Sequence, residues 1–329
     1  MTQTPQKPTP ETVLTIVQDP QLQRSPRLAG LSTEVRWAHA DNLAALLPGT
    51  EVLFIRSPRA ARELPELVDT AGGLRWIHTG SAGVDHLGDP RIAALGAAVT
   101  NARGVFDEPM AEWVLSHLFA HVKEHARFAR QQAAHEWAYR PTGMLAGTSA
   151  LIVGVGSIGR AIARALRAVG VSCSGAGTHA RAGDAEFETI VDSARLAEHV
   201  GAYDWIIDIA PLTGATRGLI DSRVLEACAP HAVLVNLGRG ASVVTDDLVG
   251  ALEAGTIAGA ILDVTDPEPL PADHPLWDAP GIVITPHMSG DLRDSEERVN
   301  DQFIENWERF QTGGELLNPV DVARGYARA

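Results

Sequence analysis

Short apolar runs alternate with amphipathic stretches along most of the chain. TVLTIV (12–17), VRWAH (35–39), VLFI (52–55), LRWIHT (74–79) and AAVTN (97–101) are rich in β-branched and aromatic residues, which predicts strands. DNLAALLP (41–48) and ARELPELVDTAG (61–72), between them, read as short amphipathic helices. A second series begins at Thr148. SALIVGV, SCSGA, WIIDIA, AVLVNL, GAILDV and IVITP read as strands, with helices over Ile158–Val169, Ser193–His199, Ser222–Ala227 and Thr245–Ala254. A last helix is expected over Ser295–Thr312, after the final strand. This alternation predicts an α/β protein with two doubly wound domains, although alternation alone does not give the strand order.

Two domains are expected, one over 107–291 and a discontinuous one over 12–106, completed by 292–329. Between the two series a single long helix is expected from Glu108 to Ala138, with Val114, Leu115, Leu118, Val122 and Phe128 near helical spacing. It reads as a bridge between domains and a dimer surface. The polar, Pro-rich start, residues 1–11, reads as a frayed tail without the basic start and apolar middle of a secretory signal.

Composition narrows the function. A chain of 329 residues, 45% hydrophobic, holds two domains with substantial cores. A net charge of -14 argues against a general nucleic-acid binder, while leaving room for an anionic substrate in a locally basic site. No apolar run approaches the roughly 20 residues that span a bilayer. Cys173 and Cys228 are the only two cysteines and match no metal spacing, as expected for reduced thiols in a cytoplasmic protein.

The turn GVGSIG follows the strand SALIV and opens an Ala-rich helix. A lone G-x-G-x-x-G is a weak signal, but this context strengthens it. Gly154 permits the tight turn, Gly156 lets the backbone approach a pyrophosphate, and Gly159 allows close helix packing. The phosphates belong at the N–H groups that open the helix, at Ser157 and Ile158. A carboxylate for the ribose 2′-OH is expected about 20 residues further on. SCSGAGTHARAG stands there instead, and no acidic residue follows until Asp184. Thr178, His179 and Arg181 offer donors suited to a 2′-phosphate, which favours NADP(H) and leaves NAD(H) possible.

Arg239, Glu268 and His287 each follow one of the later strands. The carboxyl ends of parallel strands share one edge, where ligands bind. A guanidinium fork can hold the carboxylate of a 2-oxo acid. An imidazole can give a proton to the forming alkoxide and take it back in oxidation. A nearby carboxylate orients that ring and favours its charged form. Singly, each residue is more simply a surface ion pair, a solvated carboxylate or a turn histidine. The three at one edge beside a phosphate turn reverse that preference.

With these segments in view the chain resembles the D-isomer-specific 2-hydroxyacid dehydrogenases, from about Val52 to Pro319. The matching pieces are SAGVDHL, MAEWV, GVGSIG, PLTGAT, NLGRG, LDV, EPLP and TPHMSG, in that order. The resemblance implies a Rossmann dinucleotide-binding domain over 107–291 and a discontinuous, flavodoxin-like substrate domain over 12–106, completed by 292–329. It implies His287 as acid/base, Glu268 as its support and Arg239 as the substrate clamp. It also implies a substrate-carboxylate loop at Ala82, Gly83 and Val84, a nest of successive N–H groups. Asp263 would hold the nicotinamide amide. Pro211, Thr216, Leu237, Gly238, Ser289 and Gly290 would line the cofactor, with Met110 nearby. Arg56, directly after VLFI, is a candidate contact for the distal end of the substrate, although an arginine pointing into solvent is the simpler reading.

The reaction expected is interconversion of small 2-oxo acids and D-2-hydroxy acids, of the glyoxylate/hydroxypyruvate reductase type, in a homodimer with no nucleic-acid or membrane partner. Substrate would bind between the domains, with closure excluding water. Two alternatives remain: an NAD(H)-sensing, corepressor-like binding protein, and a short phosphoglycerate dehydrogenase.

Overall fold

The structure, a computed structural model, describes residues 12–322 and the backbone of 326–327. The expected tail, 1–11, lies outside the described residues. Two compact units form. One holds the residues up to Phe106 together with those from Leu292 onward, and the other holds Asp107–Asp291.

In the first unit β1 (Val13–Val17), β2 (Glu34–Ala38), β3 (Val52–Ile55), β4 (Trp76–Thr79) and β5 (Ala98–Asn101) make one parallel sheet. Its order is β2-β1-β3-β4-β5, the flavodoxin-like arrangement. Every residue of β1, β3 and β4 is buried, as the unbroken apolar runs require when helices cover both faces. Thr15 is the polar exception in β1, and its hydroxyl pairs with Thr50 Oγ1 at 2.7 Å. One face packs on Leu43, Leu47, Leu64 and Ile92. The other packs on the helix Ser295–Thr312, whose Phe303 ring stacks on Phe54 at 4.1 Å and on Trp76 at 5.1 Å. That aromatic seam explains why the chain returns to this unit after completing the other. Stacked pairs add about 0.5–1.5 kcal/mol each beyond their area burial.

The second unit holds β6 (Ser149–Val153), β7 (Ser172–Gly177), β8 (Arg181–Ala182), β9 (Thr189–Asp192), β10 (Trp205–Asp208), β11 (Val233–Asn236), β12 (Gly259–Leu262) and β13 (Ile282–Ile284). Their order is β13-β12-β11-β10-β6-β7-β9-β8. All pairs are parallel except β8 with β9. The chain runs outward from β6 in one direction and restarts at β10 in the other. The crevice between β6 and β10 is therefore the topological switch point where dinucleotides bind.

Three expectations need correction. The long helix of 108–138 is two helices, Asp107–Val122 and His125–Ala133, broken at Glu124, whose φ is 50°. The first is anchored by Trp113, Val114 and Leu118, whereas the second buries no residue, so nothing holds it in line. The Glu124 carboxylate instead pairs with Arg127 and Arg140. Residues Ser193–Glu198 form 3₁₀ turns rather than an α-helix. The strands β8 and β9 have no counterpart among the predicted strands, because THARAGDAEFE reads as loop and TIVD is too short for a clear period. Among the described residues no helix is long and apolar enough to cross a membrane.

Candidate active site

Register brings the three polar side chains to one edge. Asn236 of β11 pairs with Leu262 of β12, and Leu262 pairs with Ile284 of β13. These strands end together, so the loops carrying Arg239, Glu268 and His287 leave the sheet side by side. His287 Nδ1 and Glu268 Oε1 are 2.6 Å apart. Both side chains are about half exposed.

The loop that presents His287 is held by Asp263, the residue directly after β12. Its Oδ1 accepts from Thr285 Oγ1 at 2.6 Å and from the Met288 N–H at 2.9 Å, and its Oδ2 accepts from the Ser289 N–H at 2.8 Å. The His287 N–H donates to the Asp263 carbonyl at 2.8 Å. These bonds fix His287 in the left-handed region, at φ 53°, an uncommon conformation for a non-glycine residue. Sequence reasoning misses this role of Asp263 in holding the loop, because it depends on residues more than twenty positions away.

Electrostatics match the geometry. The hydrogen bond to His287 is the main influence holding the Glu268 carboxyl below its ordinary range, against the opposing effect of burial. The same bond raises the His287 imidazole, against burial and the nearby Arg239 charge. The Arg239 charge adds a smaller influence, lowering both the Glu268 carboxyl and the His287 imidazole.

Arg239 rides on a tight turn. A Cβ on Gly240 would lie 2.0 Å from the Thr265 carbonyl oxygen, and one on Gly238 would lie 3.1 Å from that of Ala210. Only glycine tolerates the first approach. Beneath the turn, Asn236 Oδ1 accepts from the Gly238 N–H at 3.0 Å, and its Nδ2 donates to the Arg239 carbonyl at 3.1 Å. Ser242 and the fully buried Asp208 complete this layer. Sequence reasoning missed Asn236, Asp208 and Ser242. The one signal in the chain was a polar residue closing an otherwise apolar run, WIID and VLVN.

At the switch point, Gly154 has φ 108°, and a Cβ there would lie 2.8 Å from the Ile209 carbonyl group. Gly159 is packed as tightly, its Cβ falling 2.0 Å from the Gly154 oxygen. Gly156 faces open space and caps the helix Ser157–Ala168 without a side-chain bond. Its first N–H groups, at Ser157, Ile158 and Gly159, are thus presented as an anion site. Such a cradle fits a dinucleotide pyrophosphate. Ser157 Oγ donates to Asp107 Oδ1 at 3.2 Å, which brings the turn with the buried Met110 alongside.

Thr178, His179 and Arg181 are exposed beyond β7, and Arg181 lies 3.6 Å from Asp184. The Asp184 carboxylate is itself held by the Arg160 fork at 2.7 and 2.8 Å. Pro211 and Thr216 belong to one stitched turn, with Thr216 Oγ1 donating to the Pro211 carbonyl at 2.6 Å. Leu237 and Ser289 are buried, and Gly290 is half-buried.

In the first unit, the carbonyls of the Ala82–Val84 turn are occupied. Asn101 Nδ2 donates to the Ala82 oxygen at 2.6 Å and Ser81 Oγ to that of Gly83 at 2.8 Å. Arg56 differs from expectation. Its side chain is 4% exposed, with its fork spent on Gln18 and Glu296 and its cation over the Phe54 ring. It is a structural arginine of its own unit, without a free fork for a ligand.

A doubly wound sheet with a glycine phosphate cradle at its switch point marks a dinucleotide-dependent enzyme, and an imidazole–carboxylate pair stands at the same sheet edge. Residues 115–289 match the sequence model for the D-isomer specific 2-hydroxyacid dehydrogenase, NAD binding domain. The chain belongs to that family and is an NAD(P)-dependent oxidoreductase of it. It is 35% identical to an uncharacterized Corynebacterium melassecola protein over 269 residues, covering 80% of this chain and 87% of that one. It is 30% identical over 320 residues to glyoxylate/hydroxypyruvate reductase A of Serratia proteamaculans, covering 91% and 95%. Among solved structures, the NADPH-dependent glyoxylate/hydroxypyruvate reductase of Sinorhizobium meliloti in complex with NADP and sulfate superposes with a TM-score of 0.81. Its identity is 26%, with 96% of this chain and 100% of that chain covered.

Proposed function

We propose that this chain interconverts small 2-oxo acids and D-2-hydroxy acids, working as a glyoxylate/hydroxypyruvate reductase. The observation that carries this is the 2.6 Å contact between His287 Nδ1 and Glu268 Oε1. With Nδ1 engaged, Nε2 is the ring atom left to exchange a proton with the substrate oxygen. The carboxylate stabilises the imidazolium, so the proton is in place when the carbonyl is reduced. Arg239 binds the substrate carboxylate through its fork and polarises the adjacent carbonyl. With the dinucleotide pyrophosphate at the glycine cradle, the nicotinamide of the bound cofactor would supply or accept the hydride.

NADP(H) is the favoured cofactor. The donors at Thr178, His179 and Arg181 face solvent where an NAD site would carry an acidic residue, and the Sinorhizobium reductase is an NADPH-dependent relative. A homodimer is proposed from the side chains of Trp137, Tyr139 and Met144, which stand largely in solvent beside the two helices of 107–133. Such a patch marks an association surface.

The test is initial-rate turnover of glyoxylate, hydroxypyruvate, pyruvate and larger 2-oxo acids with NADPH and NADH in parallel. Faster turnover of glyoxylate and hydroxypyruvate with NADPH is expected. Tight dinucleotide binding without turnover of any 2-oxo acid would instead favour a sensing protein.

A further inference from the structure

Three oxygen atoms line up beneath the Arg239 turn. Ser242 Oγ makes a hydrogen-bonding contact with Asp208 Oδ2 on one side and lies 2.6 Å from the Arg239 carbonyl on the other. Oxygens this close need a hydrogen between them. The serine hydroxyl has one hydrogen for two contacts, and a carbonyl has none. Asn236 Nδ2 does not supply the second, since it reaches Arg239 O at 3.1 Å and Ser242 Oγ at 3.5 Å. The remaining source is the Asp208 carboxyl.

We propose that Asp208 is a positioning residue for the substrate-binding arginine. In its protonated, neutral form it donates to Ser242 Oγ, whose hydroxyl donates in turn to the Arg239 carbonyl and fixes the turn that aims the guanidinium. This rests on Arg239 being the substrate clamp.

The surroundings agree. Asp208 is 0% exposed, and its other oxygen accepts only from the Ala210 N–H, at 3.0 Å. Burial pushes its carboxyl up to about 6, against the smaller opposing effects of those two hydrogen bonds. The flanking strands place Val153 and Asn236 beside it, and neither ionises. Residues 209–213 carry no charge, and Arg239 is the one charged residue within 236–242; its Nη1 donates to the Gly238 carbonyl at 2.8 Å. No neighbouring cation therefore favours the carboxylate. If the acid proton leaves, the serine hydrogen turns to Asp208, and Ser242 Oγ faces the Arg239 carbonyl with nothing between. The Ser242 N–H still reaches that carbonyl at 3.1 Å, so the turn relaxes rather than unfolds.

The experiment compares wild type, Asp208→Asn, Ser242→Ala and Arg239→Lys in steady-state kinetics with hydroxypyruvate and saturating NADPH, from pH 5.5 to 8.5. NADPH binding is followed separately by fluorescence titration. In Asp208→Asn the side-chain amide N–H would stand where the acid O–H stands. The KM of this variant should equal that of wild type at low pH. The ratio of wild-type to variant KM should then rise about two- to tenfold toward high pH, the value of one net hydrogen bond. The His287 titration is common to both proteins and cancels in this ratio. Ser242→Ala should raise KM by a similar factor at low pH, with kcat and NADPH affinity within about twofold. A flat ratio, or an unchanged KM in Ser242→Ala, overturns the proposal. Arg239→Lys separates the two ideas. If it leaves KM unaltered, the clamp itself is wrong and the proposal falls with it. If it raises KM while the Asp208→Asn ratio stays flat, the clamp stands and only the proton link is lost.

Discussion

Asp263 holds His287 from both ends of its loop: its carbonyl accepts the His287 N–H at 2.8 Å, and its carboxylate accepts the N–H groups of Met288 and Ser289. One residue thereby links a strand end to the orientation of the imidazole proposed as acid/base. Replacing Asp263 by Asn puts an amide N–H against one of the loop donors. We expect kcat to fall about a hundredfold, the usual result of an angstrom-scale misplacement. Single-turnover rates of the variant check this, and a wild-type rate would show that the loop holds itself.

A second contact joins the loops that carry Arg239 and Glu268. Gly240 meets the Thr265 carbonyl with no room for a methyl group. Gly240→Ala should lower stability by about 1–3 kcal/mol, the range for overpacking, and reduce turnover with it. Thermal unfolding and kcat measured on one preparation would settle the matter. An unchanged Tm would mean that the loops part easily.

Glu268→Gln removes the charge that raises the His287 imidazole while keeping a side chain of similar shape. The imidazole should then lose its proton at lower pH. The alkaline limb of kcat/KM for reduction should move to lower pH, and the acid limb for oxidation should move the same way. Profiles in both directions test the sign, and a shift to higher pH would remove Glu268 from its supporting role.

Cofactor choice can be read at Arg181. A 2′-phosphate there gains a charge-assisted hydrogen bond worth roughly 1.5–3 kcal/mol. Arg181→Ala should therefore weaken NADPH binding by about tenfold or more, with NADH little affected. Titration with both dinucleotides gives the ratio directly. Equal losses would place the phosphate elsewhere.

The first unit contains a pH-sensitive core residue. His78 is fully buried among Phe54, Trp76 and Phe303, with Nδ1 at 2.7 Å from Thr100 Oγ1. Burial lowers its imidazole from 6.5 to about 3. The unfolded chain thus binds the proton first, and stability is lost as pH falls below 6.5. At pH 5 the loss is about 2 kcal/mol. His78→Phe should show a Tm that rises relative to wild type between pH 7 and pH 5. Parallel slopes would assign the acid sensitivity to other groups.

The alternation of apolar runs was enough to place all five strands of the first parallel sheet and all of the second but β8 and β9, because most of these segments are buried and apolar. The helix Ser295–Thr312 was legible at both ends. The break at Glu124 was not, since it reflects the missing tertiary support for residues 125–133 rather than a local breaker. Nor was the burial of Arg56, whose partners Gln18 and Glu296 are remote in the chain.

For the site, composition and spacing determined which residues are the candidates for the chemistry: an imidazole, a carboxylate and a guanidinium after successive strands, and glycines before a helix. These are local properties of the chain, fixed by strand ends and backbone freedom. What supports them was decided only in three dimensions. Asp263 under His287, Gly240 against Thr265, and the layer of Asp208, Asn236 and Ser242 under Arg239 all depend on the register of β10 to β13. Hydrogen bonds form between neighbours in space, and no period along the sequence records which residues those will be.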